Sequence, residues 1–323
     1  RGSVKDVQGN PIAGVVVTDG KNMTATDNRG MYLLDTDPVR QPMGYISTPA
    51  DYVLPEKNGI ADGFYRYQDA GKTENQCDFI LQKREKKTDE FVFIPISDPQ
   101  VKNEKQLERF RSETIPDLVY TVDSLNVPET IGMQLGDLVW DAMNLYTPYR
   151  TTISDLGLTM FQVMGNHDFN LQYADMERTA EPAKGYGEKN YYEMFGPTDY
   201  SFNVGKVHVI AMKDIDYEGG KKYTERFTEE QLEWLKKDLS YVPEGTTVFL
   251  NVHAPVANTT VEGGDNVRNA NALFRILRPY KAHIFSGHTH FYENTLPAAG
   301  IYEHNIGAAC GAWWAGDVNR CGA

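Results

Sequence analysis

The chain runs to 323 residues, long enough for more than one domain, and its 41% hydrophobic and 24% charged residues are the balance of a globular protein. A formal net charge of -13 repels a phosphate backbone and argues against nucleic acid as a lasting partner, while leaving small phosphorylated substrates open. No apolar run reaches the roughly 18 residues of a membrane-spanning helix. Arg1-Gly2-Ser3-Val4 carries no signal peptide and reads as a processed or engineered start, which says nothing about export.

Residues 1–85 read as short apolar runs parted by turns. Gly14-Val15-Val16-Val17-Thr18 leads to Asp19-Gly20, Thr24-Ala25-Thr26 to Asp27-Asn28-Arg29-Gly30, and Met31-Tyr32-Leu33-Leu34 follows. Asp and Gly accept positive φ cheaply, so these are hairpin signals between strands. Cys77-Asp78-Phe79-Ile80-Leu81 alternates like a closing strand, with Cys77 as a core residue. A small all-β sandwich is expected, serving as a packing or spacer module. Its Gly2-Ser3-Val4-Lys5-Asp6, Gly9-Asn10-Pro11-Ile12-Ala13-Gly14-Val15, Thr26-Asp27 and Gly30-x-Tyr32 resemble the carboxypeptidase-regulatory-like (transthyretin-like) sandwich.

The charged run Lys83–Glu90 reads as a solvated linker. Strands and helices alternate after it, in a catalytic domain expected over 86–310. Phe91–Ile96, Ile131–Leu135, Leu158–Met164, Val207–Met212, Thr247–Val252 and Ala282–Ser286 are predicted strands. A helix is predicted over Lys102–Ser112, with Leu107 and Phe110 on one face. Another begins at the capping box Thr228-Glu229-Glu230-Gln231 and buries Leu232, Leu235 and Leu239. The pattern is α/β, with helices packed on both faces. Residues 311–323 close no element and read as the start of a truncated C-terminal segment.

Polar clusters follow the apolar strands at their carboxyl ends, the edge where α/β folds bind ligands. Asp98, Asp137, Asn166, His253, His288 and His290 are therefore expected to meet in space. Carboxylate, amide oxygen and imidazole suit divalent ions such as Mn²⁺, Fe²⁺ and Zn²⁺. The order Asp98-x-Gln100, Gly136-Asp137, Gly165-Asn166-His167-Asp168, His253 and Gly287-His288-x-His290 resembles the calcineurin-like metallophosphoesterase family. The resemblance implies a four-layer α/β/β/α sandwich that hydrolyses phosphoric esters by a hydroxide bridging two divalent ions (Mn, Fe, Zn, Mg or Ca) about 3.5–4 Å apart. It makes Asp137 the bridging carboxylate. Asp98, Gln100 and His290 complete the first metal site, and Asn166, His253 and His288 the second. His167 becomes the catalytic residue that stabilises or protonates the departing group, with Asp168 as one candidate to orient it. The family's first motif reads Asp-x-His. Gln100 offers only a neutral oxygen, which weakens the first site for zinc or iron and favours harder ions.

Other residues are weighed against this site. His208 and His283 are expected to be structural, and His304 is a candidate to line the cleft. The loop carrying Tyr173, Arg178, Lys184, Tyr186 and Lys189 either shapes a pocket or is plain surface. One of Trp313 and Trp314 is expected near the site, since neighbours on a strand face opposite ways. Cys310 and Cys321 either close a small disulfide or remain buried thiols. With no Arg-rich segment after the Gly-Asn-His-Asp motif, small phosphodiesters or monoesters are favoured over phosphoproteins. The alternative is a metal-dependent phosphoryl-ligand binding protein with little turnover. A bacterial exported protein fits these clues, and nothing indicates the oligomeric state.

Overall fold

A computed structural model describes residues 1–86, 90–127, 129–170, 187–219, 222–259 and 266–317. The first 81 residues contain only strands: β1 (Gly2–Asp6), β2 (Val16–Thr18), β3 (Met23–Ala25), β4 (Met31–Tyr32), β5 (Met43–Ser47), β6 (Glu56–Lys57), β7 (Ile60–Ala61), β8 (Tyr65–Tyr67) and β9 (Phe79–Leu81). Seven of them form a three-stranded sheet, β4-β1-β9, and a four-stranded sheet, β3-β2-β5-β8. Val4, Val17, Ile46, Phe79 and Leu81 are buried in one cluster, as the alternation in each run requires. Cys77 is buried but lies just before β9 rather than within it.

The rest alternates: β10 (Val92–Ile96), α1 (Glu104–Arg109), α2 (Ile115–Leu125), β11 (Thr130–Leu135), α3 (Tyr146–Ser154), β12 (Thr159–Val163), α4 (Lys189–Phe195), β13 (Tyr200–Val204), β14 (Val207–Ala211), β15 (Ile215–Gly219), β16 (Lys222–Glu225), α5 (Glu229–Leu239), β17 (Thr247–Asn251), α6 (Ala270–Leu277), β18 (Lys281–Ser286), β19 (Glu293–Ala298) and β20 (Ile301–Asn305). One sheet is ordered β10-β11-β12-β7-β6 and the other β13-β14-β17-β18-β20-β19. Their inner faces meet through aromatic rings. Phe93 of β10 lies 5.3 Å from Phe249 of β17, and Phe161 of β12 stacks on Phe202 of β13 at 4.0 Å. Each such ring contributes about 1.5–3 kcal/mol through burial. On the first sheet's outer face, Phe110 stacks on Tyr149 of α3, whose hydroxyl meets Gln134 of β11. On the second, Leu235 and Leu239 of α5 and Leu273 and Leu277 of α6 join one buried cluster with Ile210, Leu250 and Ile284. Helix, sheet, sheet and helix thus form four layers.

The sequence missed two connections. The helix expected to end at Ser112 passes through a π-turn, Phe110–Thr114, and continues as α2, with Pro116 in its first turn, where a missing N–H costs nothing. The β6–β7 hairpin also leaves the N-terminal strands. Ile60 pairs in parallel with Met160, so the hairpin extends the β10-β11-β12 sheet. The charged run is not a loose linker in its first half. Arg84 donates to both oxygens of Glu129, with side chains only 10% and 17% exposed. Further ties hold the N-terminal strands to the larger layers: Tyr45 hydroxyl donates to Asp199 O (2.6 Å) and Trp234 Nε1 to Thr18 Oγ1 (3.1 Å).

Candidate metal centre

Every polar cluster singled out in the sequence lies just past the carboxyl end of a strand: Asp98 and Gln100 after β10, Asp137 after β11, Asn166–Asp168 in a 3₁₀ turn after β12, His253 after β17, and His288 and His290 after β18. These turns are sharp. Of ten non-glycine residues with positive φ among the described residues, eight (Asp98, Gln100, Asp137, Asp141, His288, His290, Trp313 and Trp314) are around this site. Such backbone is tolerated where the surroundings over-determine it. The glycines preceding the ligand candidates have a steric reason. Gly136 has φ +90, and a Cβ there would lie 2.5 Å from His253 Nδ1. A Cβ on Gly165 would lie 2.3 Å from Asp137 Oδ1.

Asp137, His253 and His288 bring ligand atoms within 4.8 Å of one another. His253 Nε2 lies 3.4 Å from Asp137 Oδ1, 2.9 Å from Asn166 Oδ1 and 3.1 Å from His288 Nδ1. Its Nδ1 donates to Leu135 O at 2.7 Å, which fixes the tautomer and turns the Nε2 lone pair towards the other three groups. Asp214, buried, accepts from the His253 and Ala254 amides and anchors this turn. Burial opposes charge on both His253 and Asp137, but their attraction wins. The carboxylate, with help from Asp98 and Asp214, raises His253 to about 10, while the imidazole holds Asp137 well below the usual carboxylate range. Two nitrogens and two oxygens with a stored proton make a donor set that fits a divalent cation, which would displace that proton.

The second group is looser. His290 Nε2 lies 3.4 Å from Asp98 Oδ1, and burial, which disfavours its charge, is outweighed by Asp98 and Cys310, raising His290 to about 10. Asp98 also accepts from the His288 amide at 2.9 Å and from Ser97 Oγ. Gln100 is buried between the groups. Its Nε2 donates to Asp137 Oδ2 at 2.7 Å, and its Oε1 accepts from Trp313 Nε1 at 2.8 Å. The amide oxygen expected to face a cation is thus engaged by an indole.

The third part is His167. Its Nδ1 lies 3.0 Å from Asp141 Oδ1, and its ring stacks on Trp140 at 4.1 Å. Burial lowers the imidazole pKa, but the bond to Asp141 and the charge of Asp137 outweigh it, so the pKa is raised. Asp168 does not orient this ring. It is fully buried and accepts from the Gly165 and Leu138 amides, holding its own turn. Gln100, Asp137, Asn166, His167, His288 and His290 face a cleft of about 460 Å³, also lined by Tyr223, Phe291 and Trp313.

A family model described as calcineurin-like phosphoesterase matches residues 91–292, the segment that carries every candidate ligand. The chain belongs to the calcineurin-like phosphoesterase family. A second model, described as the N terminal of calcineurin-like phosphoesterase, matches residues 1–84. A purple acid phosphatase of Arabidopsis thaliana is 26% identical over 176 residues, 53% of this chain and 31% of the relative, so the match spans about a third of that protein. Among solved structures, a dimetal phosphatase from Danio rerio matches at 16% identity and TM-score 0.48, covering 68% of this chain and 87% of that one. A purple acid phosphatase from yellow lupin (Lupinus luteus) matches at 15% identity and TM-score 0.49, covering 67% and 43%. Family membership ties the chain to phosphoester hydrolysis as a class and to divalent metals, for which the Asp137 cluster is the candidate group.

Several residues considered in the sequence fall elsewhere. His208 is buried against Asp238 and Asn203, as a structural histidine should be. His304 does not line the cleft; it stacks on His283 across β18 and β20. Trp313 and Trp314 sit in a turn, not a strand, yet one of the two is near the site, as expected. Trp313 reaches the cleft, while Trp314 packs on Phe110 and donates to Pro99 O. Cys310 is a free buried thiol, and Cys321 lies outside the described residues, as do Tyr173, Arg178, Lys184 and Tyr186. Lys189 lies in α4, within 3.9 Å of Glu193. Trp140, Asp141 and Asp214 were missed. Trp140 and Asp141 follow Gly136-Asp137 by three and four residues, close enough to have been considered.

Proposed function

We propose that this chain hydrolyses phosphoric esters of small molecules, diesters or monoesters, at a centre of two divalent cations. The observation that carries the reading is the convergence of Asp137, Asn166, His253 and His288 on one point, with Asp98 and His290 adjoining. Asp137, Asn166, His253 and His288 would hold one cation. Asp98, His290 and Asp137 would hold the other, the oxygen of Gln100 being taken by Trp313. Bound there, the ions supply an activated water and neutralise phosphoryl charge.

The chain's own groups do the rest. Leu135 O and Asp214 fix the His253 ring and backbone, so the donor set needs little reorganisation. Asp141 keeps a proton on His167 and leaves Nε2 to meet the leaving oxygen. As the phosphorus–oxygen bond breaks, that proton passes to the alcohol, which departs neutral. Chelated protein reconstituted with Mn²⁺ and offered a chromogenic diester and its matching monoester tests the reading. Turnover of at least one ester, lost on chelation and in His253→Ala, is expected. Neither ester being cleaved at full metal occupancy would sink it.

The Gln100–Trp313 bond favours one rival, a phosphoryl-ligand binding protein with a weak first site. That rival wins if fully metallated wild type turns over nothing that His167→Ala does not.

A further inference from the structure

Trp313 is 52% exposed at the cleft mouth, an unfavourable place for a large apolar ring without a use. It is nevertheless fixed. Nε1 donates to Gln100 Oε1 at 2.8 Å, the ring meets Trp140 edge-on at 6.2 Å, and it lies 5.3 Å from the His290 ring. Its backbone is held at φ +53, a conformation that a tryptophan adopts only under constraint. Trp140 is occupied differently. His167 stacks on it and Lys102 Nζ lies 5.6 Å from its ring centroid, so it buttresses the imidazole. Phe291, also 52% exposed, adds a second ring to the lining.

The cleft therefore sets two chemistries side by side. One gathers imidazoles, carboxylates and amides. The other presents a pinned, half-exposed indole. An aromatic face held in place binds flat π-systems by stacking, worth several-fold to a hundredfold in affinity for nucleobases. We propose that the preferred substrates carry a planar ring, aryl or nucleobase, on the organic group of the phosphoester, stacked on Trp313 with Gln100 as the residue that positions the indole. This rests on the phosphoester reading above.

The test uses Mn²⁺-loaded full chain and non-hydrolysable methyl-, cyclohexyl- and phenylphosphonate, with dissociation constants read from tryptophan fluorescence or calorimetry. Phenyl and cyclohexyl groups are similar in size and apolarity but differ in flatness. Phenylphosphonate is expected to bind about tenfold tighter than cyclohexylphosphonate, a difference of ~1.4 kcal/mol. Trp313→Ala should erase that preference and leave methylphosphonate within about twofold. Trp313→Phe, which keeps a ring but loses the N–H, should retain most of the preference, so loss of the Gln100 bond is separated from loss of the face. The non-hydrolysable methylenephosphonate analogue of adenosine 5′-monophosphate binding tighter than that of ribose 5-phosphate would assign the ring to a nucleobase, and equality of the two would assign it to an aryl group. Methylphosphonate binding with no ring preference, or equal weakening of all three phosphonates in Trp313→Ala, overturns this inference alone. No binding of any phosphonate overturns the phosphoester reading and this one with it.

Discussion

Replacing Asp141 by Asn removes a charge but keeps an oxygen beside His167 Nδ1. The two side chains are 28% and 22% exposed, so solvent screens the pair. An exposed ion pair is worth about 0.2–1 kcal/mol and a fully buried one several times that. Burial lowers the imidazole pKa and the bond to Asp141 raises it, so losing that charge lowers it. In its proposed role as proton donor, His167 works when protonated and fails as pH rises through its pKa. Lowering that pKa must move the alkaline limb of kcat to lower pH. The stack on Trp140 still holds the ring, so the rate at the optimum should fall about tenfold, less than the 10²–10⁴ that general acid catalysis can supply. The assay is kcat against pH for phenyl phosphate and p-nitrophenyl phosphate on Mn²⁺-loaded protein. The phenyl ester, whose leaving oxygen needs the proton, should lose more. An unmoved alkaline limb, or equal losses on both esters, would refute His167 as the acid.

Two further outcomes follow from the geometry. Because His253 is raised to about 10 without a cation, metal binding at neutral pH should release a proton and weaken about tenfold for each pH unit lost. Calorimetric titrations in two buffers of different ionisation enthalpy measure this, and identical heats would contradict it. Asp238, 2% exposed, accepts from Ser201 Oγ at 2.7 Å and from His208 at 2.7 Å beneath the N-terminal strands. Asp238→Ala leaves His208 Nε2 buried without its acceptor and Ser201 Oγ with only Ser47 Oγ, at a cost of about 2 kcal/mol. Urea denaturation should register the loss with Mn²⁺ stoichiometry unchanged, and a change under 1 kcal/mol would mean that solvent reaches the network.

What could be read from the sequence was what repeats locally or sits beside a strand end. Phe93, Met133 and Phe161 advertised strands as members of short apolar runs, and Thr228 with Gln231 capped α5 by side-chain chemistry confined to four residues. The candidate ligands were legible because each closes an apolar run. Contacts made across the fold were not. Nothing near Gln100 signals that an indole more than 200 residues later will take its oxygen. Adjacency to His167 left Asp168 open either to orient that ring or to bond within its own loop, and backbone amides of two turns claim it. The Asn58-Gly59 turn, with φ of +53 and +73, was a readable hairpin signal that went unused. Even read, it would not have revealed which sheet the hairpin joins.

That hairpin makes the two matched segments, 1–84 and 91–292, inseparable in a way that their sequences do not suggest. Ile60 pairs beside Met160, and Gly59 packs its backbone against Ser154 and Leu158. Cutting the chain after residue 85 would strip β12 of its neighbour and present an unpaired strand edge to solvent, an invitation to aggregate. The family boundary falls between residues 84 and 91, but the β10-β11-β12 sheet reaches back across it to the β6–β7 hairpin.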